Sequence, residues 1–180
     1  LIRELATMGL RAILPRRLWA RANAPSRALD LVVGFLYHRL GYAFYFYRGL
    51  VPTIWTVLRF MNVTSRHPPS NELAQAHANM GVLLSLAGLY RPAHKFANRA
   101  IAMMRALGDV WGIGSSIHFL GLILYGEGRY RRSIAALREA IGVLDRTGDH
   151  WEAGNARINV AYCHMRLGDS EKAVALARAV

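Results

Sequence analysis

The residues Leu107-Gly108-Asp109-Val110-Trp111 return forty positions later as Thr147-Gly148-Asp149-His150-Trp151. The same spacing joins Gly88-Leu89-Tyr90 to Gly128-Arg129-Tyr130, and Gly168-Asp169 follows after forty more residues. Small residues recur with this period at Gly41, Gly81, Gly121 and Ala161. Self-similarity at one fixed period predicts a stacked array of a single supersecondary unit. The sequence therefore predicts a repeat protein, and arrays of this kind commonly bind other proteins.

Helical spacing of apolar and small residues runs through the repeats, and strand-type alternation is absent. Met80, Gly81, Leu83 and Leu84 show the three- and four-residue spacing of a helix face. We predict an all-α chain of units 26–66, 67–106, 107–146 and 147–180, after a basic linker over residues 1–25 that begins as a helix. The predicted helices lie near 27–47, 50–65, 70–87, 90–107, 110–126, 129–146 and 150–167, and a further helix is cut short at 180. We expect the chain to be a piece of a longer protein, truncated at both ends.

The turns between these helices have suitable chemistry. Gly108-Asp109 and Gly148-Asp149 place glycine after one helix and a capping aspartate before the next. Ser26 stands where it could cap the first repeat helix, and Pro68-Pro69 interrupts the chain before residue 71. The glycines that we expect to end the first helix of each unit are Gly49, Gly88, Gly128 and Gly168.

The charge of the chain is +12 and unevenly distributed. Residues 1–66 carry ten arginines against two acids, a net +8, and residues 67–180 carry thirteen basic residues against nine acids, a net +4. A basic segment can attract nucleic acid, anionic lipid or an acidic protein surface. The arginines near Trp19 (Arg11, Arg16, Arg17 and Arg21) could lie on such a surface, although a linker packed on a preceding domain is the preferred interpretation.

Cys163 is the single cysteine, which suits a reducing cytoplasm, and we expect a buried, inert thiol.

The apolar run 31–47 contains His38 and Arg39 in its middle. We therefore expect a helix buried between repeats, not a membrane span.

Motifs that would indicate an enzyme are absent. The chain has no Gly-x-x-x-x-Gly-Lys-Ser/Thr loop, and its seven histidines include no pair at helical spacing with the carboxylate that a zinc hydrolase needs. Gly112-x-Gly114 and Gly126-x-Gly128 lack a third glycine and follow no strand, so we interpret them as turns and flexible helix positions. We expect no catalytic residues, no cofactor and no metal.

The periodic residues resemble the tetratricopeptide repeat over about 26–180. Gly41, Gly81, Gly121 and Ala161 match the small site of that family's first helix. Its second-helix sites are matched by Ala93, Ser133 and Ala173, then by Ala97, Leu137 and Ala177, then by Ala100 and Ala140. The resemblance implies a right-handed solenoid of antiparallel helix pairs with about three and a half repeats. The period of forty exceeds the family's usual thirty-four, and Gly-Asp or Pro68-Pro69 replaces its closing proline.

The longer period, with Gly-Asp-x-Trp at the junctions, is similar to repeats in large bacterial signalling proteins that carry an ATPase module and an output domain. This second resemblance implies a cytoplasmic, non-catalytic segment that binds a protein, a peptide or neighbouring domains of the same chain. The alternative is a basic surface that binds nucleic acid or an anionic membrane, although we expect neither as the main partner.

The tetratricopeptide resemblance also implies a concave wall lined by first-helix residues. Its candidate partner-binding residues are His38, Tyr42, Tyr45, Ser85, His118, Leu122, Tyr125 and Tyr162, with Ala78, Val82, Ile158 and Met165 beside them. Two interpretations of the aromatic residues around Tyr42 stay open: they line the groove, or they cover a junction to a preceding domain. Arg129, Arg131 and Arg132 are candidates for contact with an anion or an acidic partner, or they form a solvated turn.

Overall fold

The computed structural model describes residues 1–15, 18–20 and 26–179, and the regular structure in these ranges is helical. The helices are α1 (Ile2–Ile13), α2 (Arg27–Tyr47), α3 (Leu50–Thr64), α4 (Asn71–Leu86), α5 (Tyr90–Leu107), α6 (Val110–Gly126), α7 (Tyr130–Thr147), α8 (His150–Arg166) and α9 (Ser170–Arg178). From α2 to α8 each end lies within one residue of its predicted position. The all-α prediction is therefore confirmed for the described part of the chain.

Each helix from α2 onward packs on the next helix along the chain, and the first helices of successive units also pack on each other: α2 on α4, α4 on α6 and α6 on α8. The contacts are most extensive within the pairs α2 and α3, α4 and α5, and α6 and α7. Extensive contact between neighbouring helices is the arrangement expected of a helical repeat.

The predicted turn chemistry is present at the two Gly-Asp junctions. Gly108 and Gly148 adopt φ of 70° and 77°, the left-handed conformation that glycine adopts without steric cost. The carboxylate of Asp109 accepts a hydrogen bond from the Gly112 amide at 2.8 Å, and that of Asp149 accepts one from the Glu152 amide at 2.9 Å. Each aspartate therefore caps the helix that follows it.

The cap predicted at the start of α2 is not formed. Ser26 occupies the N-cap position, but its side chain makes no capping hydrogen bond. Its φ of −78° and ψ of 1° lie outside the extended conformation from which a serine hydroxyl reaches the first turn. Ser70 at the start of α4 has that conformation, and its hydroxyl accepts from the Leu73 amide.

Small residues determine how closely the helices of a unit approach. A Cβ atom added to Gly121 would lie 2.6 Å from Cδ2 of Leu137, and one added to Gly81 would lie 3.0 Å from the Ala93 carbonyl oxygen. The facing second-helix positions are fully buried, namely Ala93, Ala97, Ala100, Ser133, Leu137 and Ala140. The periodic glycines therefore mark close contact between paired helices.

The helix of the basic linker, α1, belongs to the folded body because it packs on α3. Glu4 pairs with Arg59 at 3.2 Å and accepts a hydrogen bond from the Asn62 amide group at 2.8 Å. Arg11 donates to the Ser65 hydroxyl at 2.9 Å, and its guanidinium lies over the Trp19 ring. The contacts of the Arg11 side chain therefore lie within the protein. Of the other arginines predicted to form a basic cluster, Arg16, Arg17 and Arg21 lie outside the described residues.

The expectation that α2 is buried between repeats is wrong for its outer side. Leu36 is 57% exposed and Tyr47 is 85% exposed. The physical reason is that α3 and α4 cover one side of α2, whereas α1 packs on α3 and leaves the other side open. In the part of the chain that the structure describes, no helix has the length and apolarity needed to cross a bilayer.

Candidate partner-binding surface

The candidate residues predicted for the concave wall fall into three rows across the first helices α2, α4, α6 and α8. The first row is His38, Ala78, His118 and Ile158. The second row is Tyr42, Val82, Leu122 and Tyr162, and the third is Tyr45, Ser85, Tyr125 and Met165. Within each row the members are forty residues apart. Because successive first helices pack on each other, each row crosses the array from unit to unit.

The first row is largely buried and holds a polar network. His118 is 3% exposed, and its Nδ1 lies 2.9 Å from a carboxylate oxygen of Glu152, which is equally buried. The other ring nitrogen of His118 lies 3.1 Å from the side-chain amide of Asn159. His38 contacts the side-chain amide of Asn79 through its Nδ1 at 3.3 Å, and burial lowers the pKa of its imidazole to about 4. These histidines join neighbouring first helices inside the array.

Three residues of the second row pack against the interior, whereas Tyr162 is exposed. Val82 and Leu122 pack with Tyr42 around Phe119 in one apolar cluster. The ring of Tyr42 also meets that of Trp151 on α8, with 5.7 Å between their centroids. Burial raises the pKa of the Tyr42 hydroxyl, and the nearby Glu152 carboxylate adds to the effect. Tyr42 therefore joins α2 to α8.

The third row and its neighbours are the accessible part of the wall. Tyr45 is 61% exposed, Tyr162 of the second row is 48% exposed, and Met165 is also exposed. Tyr125 is half-buried, and its hydroxyl accepts a hydrogen bond from Arg166 at 3.2 Å. Ser85 is buried and donates to the Val82 carbonyl, but Leu86 beside it is exposed. We call this set the apolar edge: Tyr45, Leu86, Tyr125, Tyr162 and Met165.

The structure thus separates the predicted residues into two groups. His38, His118 and Ser85 are buried, whereas the accessible residues lie toward the carboxyl ends of the first helices. The sequence reasoning missed Leu86 and Trp151. The repeat register could have revealed Leu86, since it follows a candidate position directly. Nothing in the sequence indicates the contact of Trp151 with Tyr42, because that contact depends on how several units stack.

The arginines at the start of α7 are exposed. Arg129 pairs with Glu127 at 3.1 Å, and Arg131 and Arg132 lie in the first turn of the helix. The positive end of the helix dipole adds to their charge. This turn is accessible to an anionic group, and its use by a partner stays a prediction.

Neither Cys163 nor the cleft described next indicates a chemical reaction. Cys163 is fully buried, as predicted, burial raises the pKa of its thiol, and its Sγ lies 3.3 Å from the Ser133 hydroxyl. Within the described ranges, no cluster of histidine, cysteine and acidic side chains could hold a metal ion. A shallow cleft of about 350 Å³ lies between α5, α6 and α7, with Ile117 and Leu120 in its lining and Arg105 and Glu139 at polar positions.

Comparison with known proteins adds no assignment. No model of a protein family matches the chain, and no curated protein matches it either.

Proposed function

We propose that this chain is a protein-interaction and regulatory segment of a larger bacterial signalling ATPase, that it acts in the cytoplasm and that it is non-catalytic by itself. In this proposal its units are tetratricopeptide-like antiparallel helix pairs that form a right-handed solenoid. The observation that supports it most is the apolar edge. Exposed apolar side chains recur at neighbouring repeat positions on α2, α4 and α8, with half-buried Tyr125 on α6 between them.

The partner that fits this edge is a peptide, a helix or a neighbouring domain with apolar side chains spaced along it. Partners of helical repeats are commonly held by a few apolar anchors. The exposed side chains of Tyr45, Tyr162 and Met165 are the groups that such a partner would contact. An acidic segment of the partner could reach Arg131 and Arg132.

A regulatory effect on adjoining domains would follow from the extent of the apolar edge, which includes residues of both α2 and α8. A partner that contacts Tyr45 on α2 and Tyr162 on α8 would add to the contact that Tyr42 and Trp151 already make between these helices. It would favour one spacing between these helices, and stacked units transmit such a change through their neighbour contacts. Adjoining ATPase or output domains would respond to that spacing.

The proposal is tested by affinity purification of the full chain from its source cells with quantitative mass spectrometry. The variant combines Tyr45→Ser with Tyr162→Ser, and Leu107→Ser is the control because Leu107 is exposed at the end of α5. We expect proteins retained by the wild type and by the control to fall at least about ten-fold with the double variant, since apolar anchors dominate such interfaces. Equal retention by all three proteins would remove the apolar edge as the binding site.

A further inference from the structure

The outer side of α2 carries a continuous row of exposed apolar residues. We call it the α2 stripe: Leu29, Val32, Leu36, Leu40, Phe46 and Tyr47. Successive members are mostly three or four residues apart, so they follow one side of the helix. An exposed apolar row of this length on an otherwise well-packed protein indicates a contact surface.

The α2 stripe differs from the equivalent surfaces of the later units at the position of Leu36. Ala76, Ser116 and Ala156 hold the position that Leu36 holds on α2, and all three are fully buried. Ala76 packs in the cluster that contains Leu58 of the preceding α3. A small residue at this position admits a preceding helix, whereas Leu36 would hold it away. At this position α2 therefore does not match the surface that a preceding helix covers in the later units.

Helix α1 also exposes its apolar side. Ile2 is 84% exposed, Ile13 is 83% exposed, and Leu5 and Leu10 lie on the same side of the helix and are exposed. We call these four residues the α1 stripe. Glu4 turns the other way and is buried against α3, which reverses the usual orientation of an amphipathic surface helix. Two helices at one end of the molecule thus expose apolar side chains.

The charges around the two stripes are of one sign. Arg3, Arg27, Arg39 and Arg48 are exposed. The two acids in residues 1–50 are both engaged, since Glu4 pairs with Arg59 and Asp30 lies 2.8 Å from His67. The Arg39 guanidinium lies over the Phe35 ring, so it is held beside the α2 stripe. This end therefore combines exposed cations with exposed apolar groups.

We infer that the α1 and α2 stripes dock on an anionic lipid surface, with Leu36 and Tyr47 at the acyl boundary and the arginines at the phosphate groups. Apolar side chains flanked by arginine are the combination that interfacial helices use. A second copy of the chain would bring Arg39 toward another cationic surface, which like-charge repulsion disfavours. Nucleic acid would leave the apolar side chains unused, because phosphate contacts supply most of its affinity.

Flotation with vesicles tests this inference on the purified full chain. We expect at least about ten-fold tighter binding to vesicles of phosphatidylcholine and phosphatidylglycerol at three to one than to phosphatidylcholine alone, since several arginines lie near the surface. The variant that combines Leu36→Ser with Tyr47→Ser should lose at least about ten-fold in affinity. Arg39→Gln should lose about five-fold. Matched controls are Leu107→Ser and Arg138→Gln, which change exposed residues elsewhere and should bind as the wild type does.

A second readout does not depend on affinity. The variant Tyr47→Trp should show a blue shift of its added tryptophan fluorescence when anionic vesicles are present, because the indole leaves water. Circular dichroism checks that every variant keeps its helix content.

Three results would overturn the inference. One is equal binding to anionic vesicles by folded Leu36→Ser/Tyr47→Ser and wild type. Another is a wild-type dimer in light scattering together with a monomeric variant, which would assign the stripes to self-association. The third is binding of the wild type to duplex DNA that this variant weakens as much as it weakens binding to vesicles. The protein-binding proposal is tested separately, because Tyr162→Ser lies outside both stripes and should not change vesicle binding.

Discussion

A single glycine position shows how closely the paired helices of a unit approach. Gly121 faces the fully buried Leu137, and an added Cβ would lie 2.6 Å from one of its methyl carbons. We predict that Gly121→Ala destabilises the protein by about 1–3 kcal/mol, because the fully buried Leu137 side chain must shift to make room for the added methyl group. Urea denaturation measures the change in the free energy of unfolding.

The matched control is Gly142→Ala in α7, where no atom lies within 4 Å of the added Cβ. This variant should be more stable by about 0.5–1 kcal/mol, since alanine favours the helix over glycine. Equal effects of the two substitutions would mean that the periodic glycines do not set the helix spacing.

Two buried histidines make stability depend on pH. Burial lowers the pKa of His38 and of His77 to about 4, and Arg39 and Arg99 respectively add to the effect. In the unfolded chain both take up protons near pH 6.5. Above pH 6.5 both histidines are neutral in the folded and in the unfolded chain, so their full contribution to stability is present. As the pH falls from 6.5 toward 4, the unfolded chain takes up protons that the folded chain does not, and this contribution to the free energy of unfolding is lost. We predict that the free energy of unfolding decreases across this range by roughly 3 kcal/mol per histidine.

The variant His77→Phe isolates one of these contributions. His77 packs against Phe96, with 5.2 Å between ring centroids, and none of the described residues offers its Nδ1 a hydrogen bond. The phenyl ring should therefore fit in the place of the imidazole. The free energy of unfolding of this variant should decrease less between pH 6.5 and 4 than that of the wild type. His150→Phe, at an exposed position, should keep the wild-type slope. An unchanged slope for His77→Phe would contradict the account.

At the scale of elements, three aspartates precede helices at equivalent positions but have different partners. Asp149 caps α8 and also accepts a hydrogen bond from the Trp111 indole at 2.7 Å. Asp109 caps α6, whereas Asp169 makes no side-chain cap on α9. We predict losses of roughly 2–3 kcal/mol for Asp149→Ala and about 1 kcal/mol for Asp109→Ala, with the smallest loss for Asp169→Ala. Thermal or urea denaturation of the three variants gives the order, and any other order would contradict this interpretation.

The helices themselves were predictable from the sequence because local signals determine their ends. Glycines with positive φ and capping aspartates act over a few residues, so Gly108-Asp109 and Gly148-Asp149 could be interpreted without a structure. The missing cap at Ser26 shows where this reasoning fails. A capping hydrogen bond needs a backbone conformation as well as a suitable residue type.

The candidate surface was less predictable because it depends on contacts between distant units. The register correctly identified side chains that lie on the first helices, but it did not indicate that His118 would be buried with Glu152 or that Tyr42 would meet Trp151. Nor did apolarity reveal that the outer side of α2 is open, since the apolar run 31–47 alone does not indicate which of its side chains another helix covers. These properties follow from how the units stack.

At the scale of the whole molecule, α2 contributes to both proposed surfaces. The apolar edge crosses α2, α4, α6 and α8, and the α1 and α2 stripes lie at the amino-terminal end. A protein docked along the edge and a lipid surface beneath the stripes would both contact α2. In this account the array holds its partner near a membrane while its neighbour contacts transmit the binding event.

Site-specific photo-crosslinking in the source cells tests the central proposal most directly. Benzoylphenylalanine would replace Tyr162 of the apolar edge, buried Phe60 of α3 or Leu107 of α5 in the full chain. The account predicts a discrete crosslinked protein from position 162 and none from positions 60 and 107. The same crosslinks from all three positions, or none from position 162 while the wild-type chain still retains its partner, would contradict binding along the apolar edge.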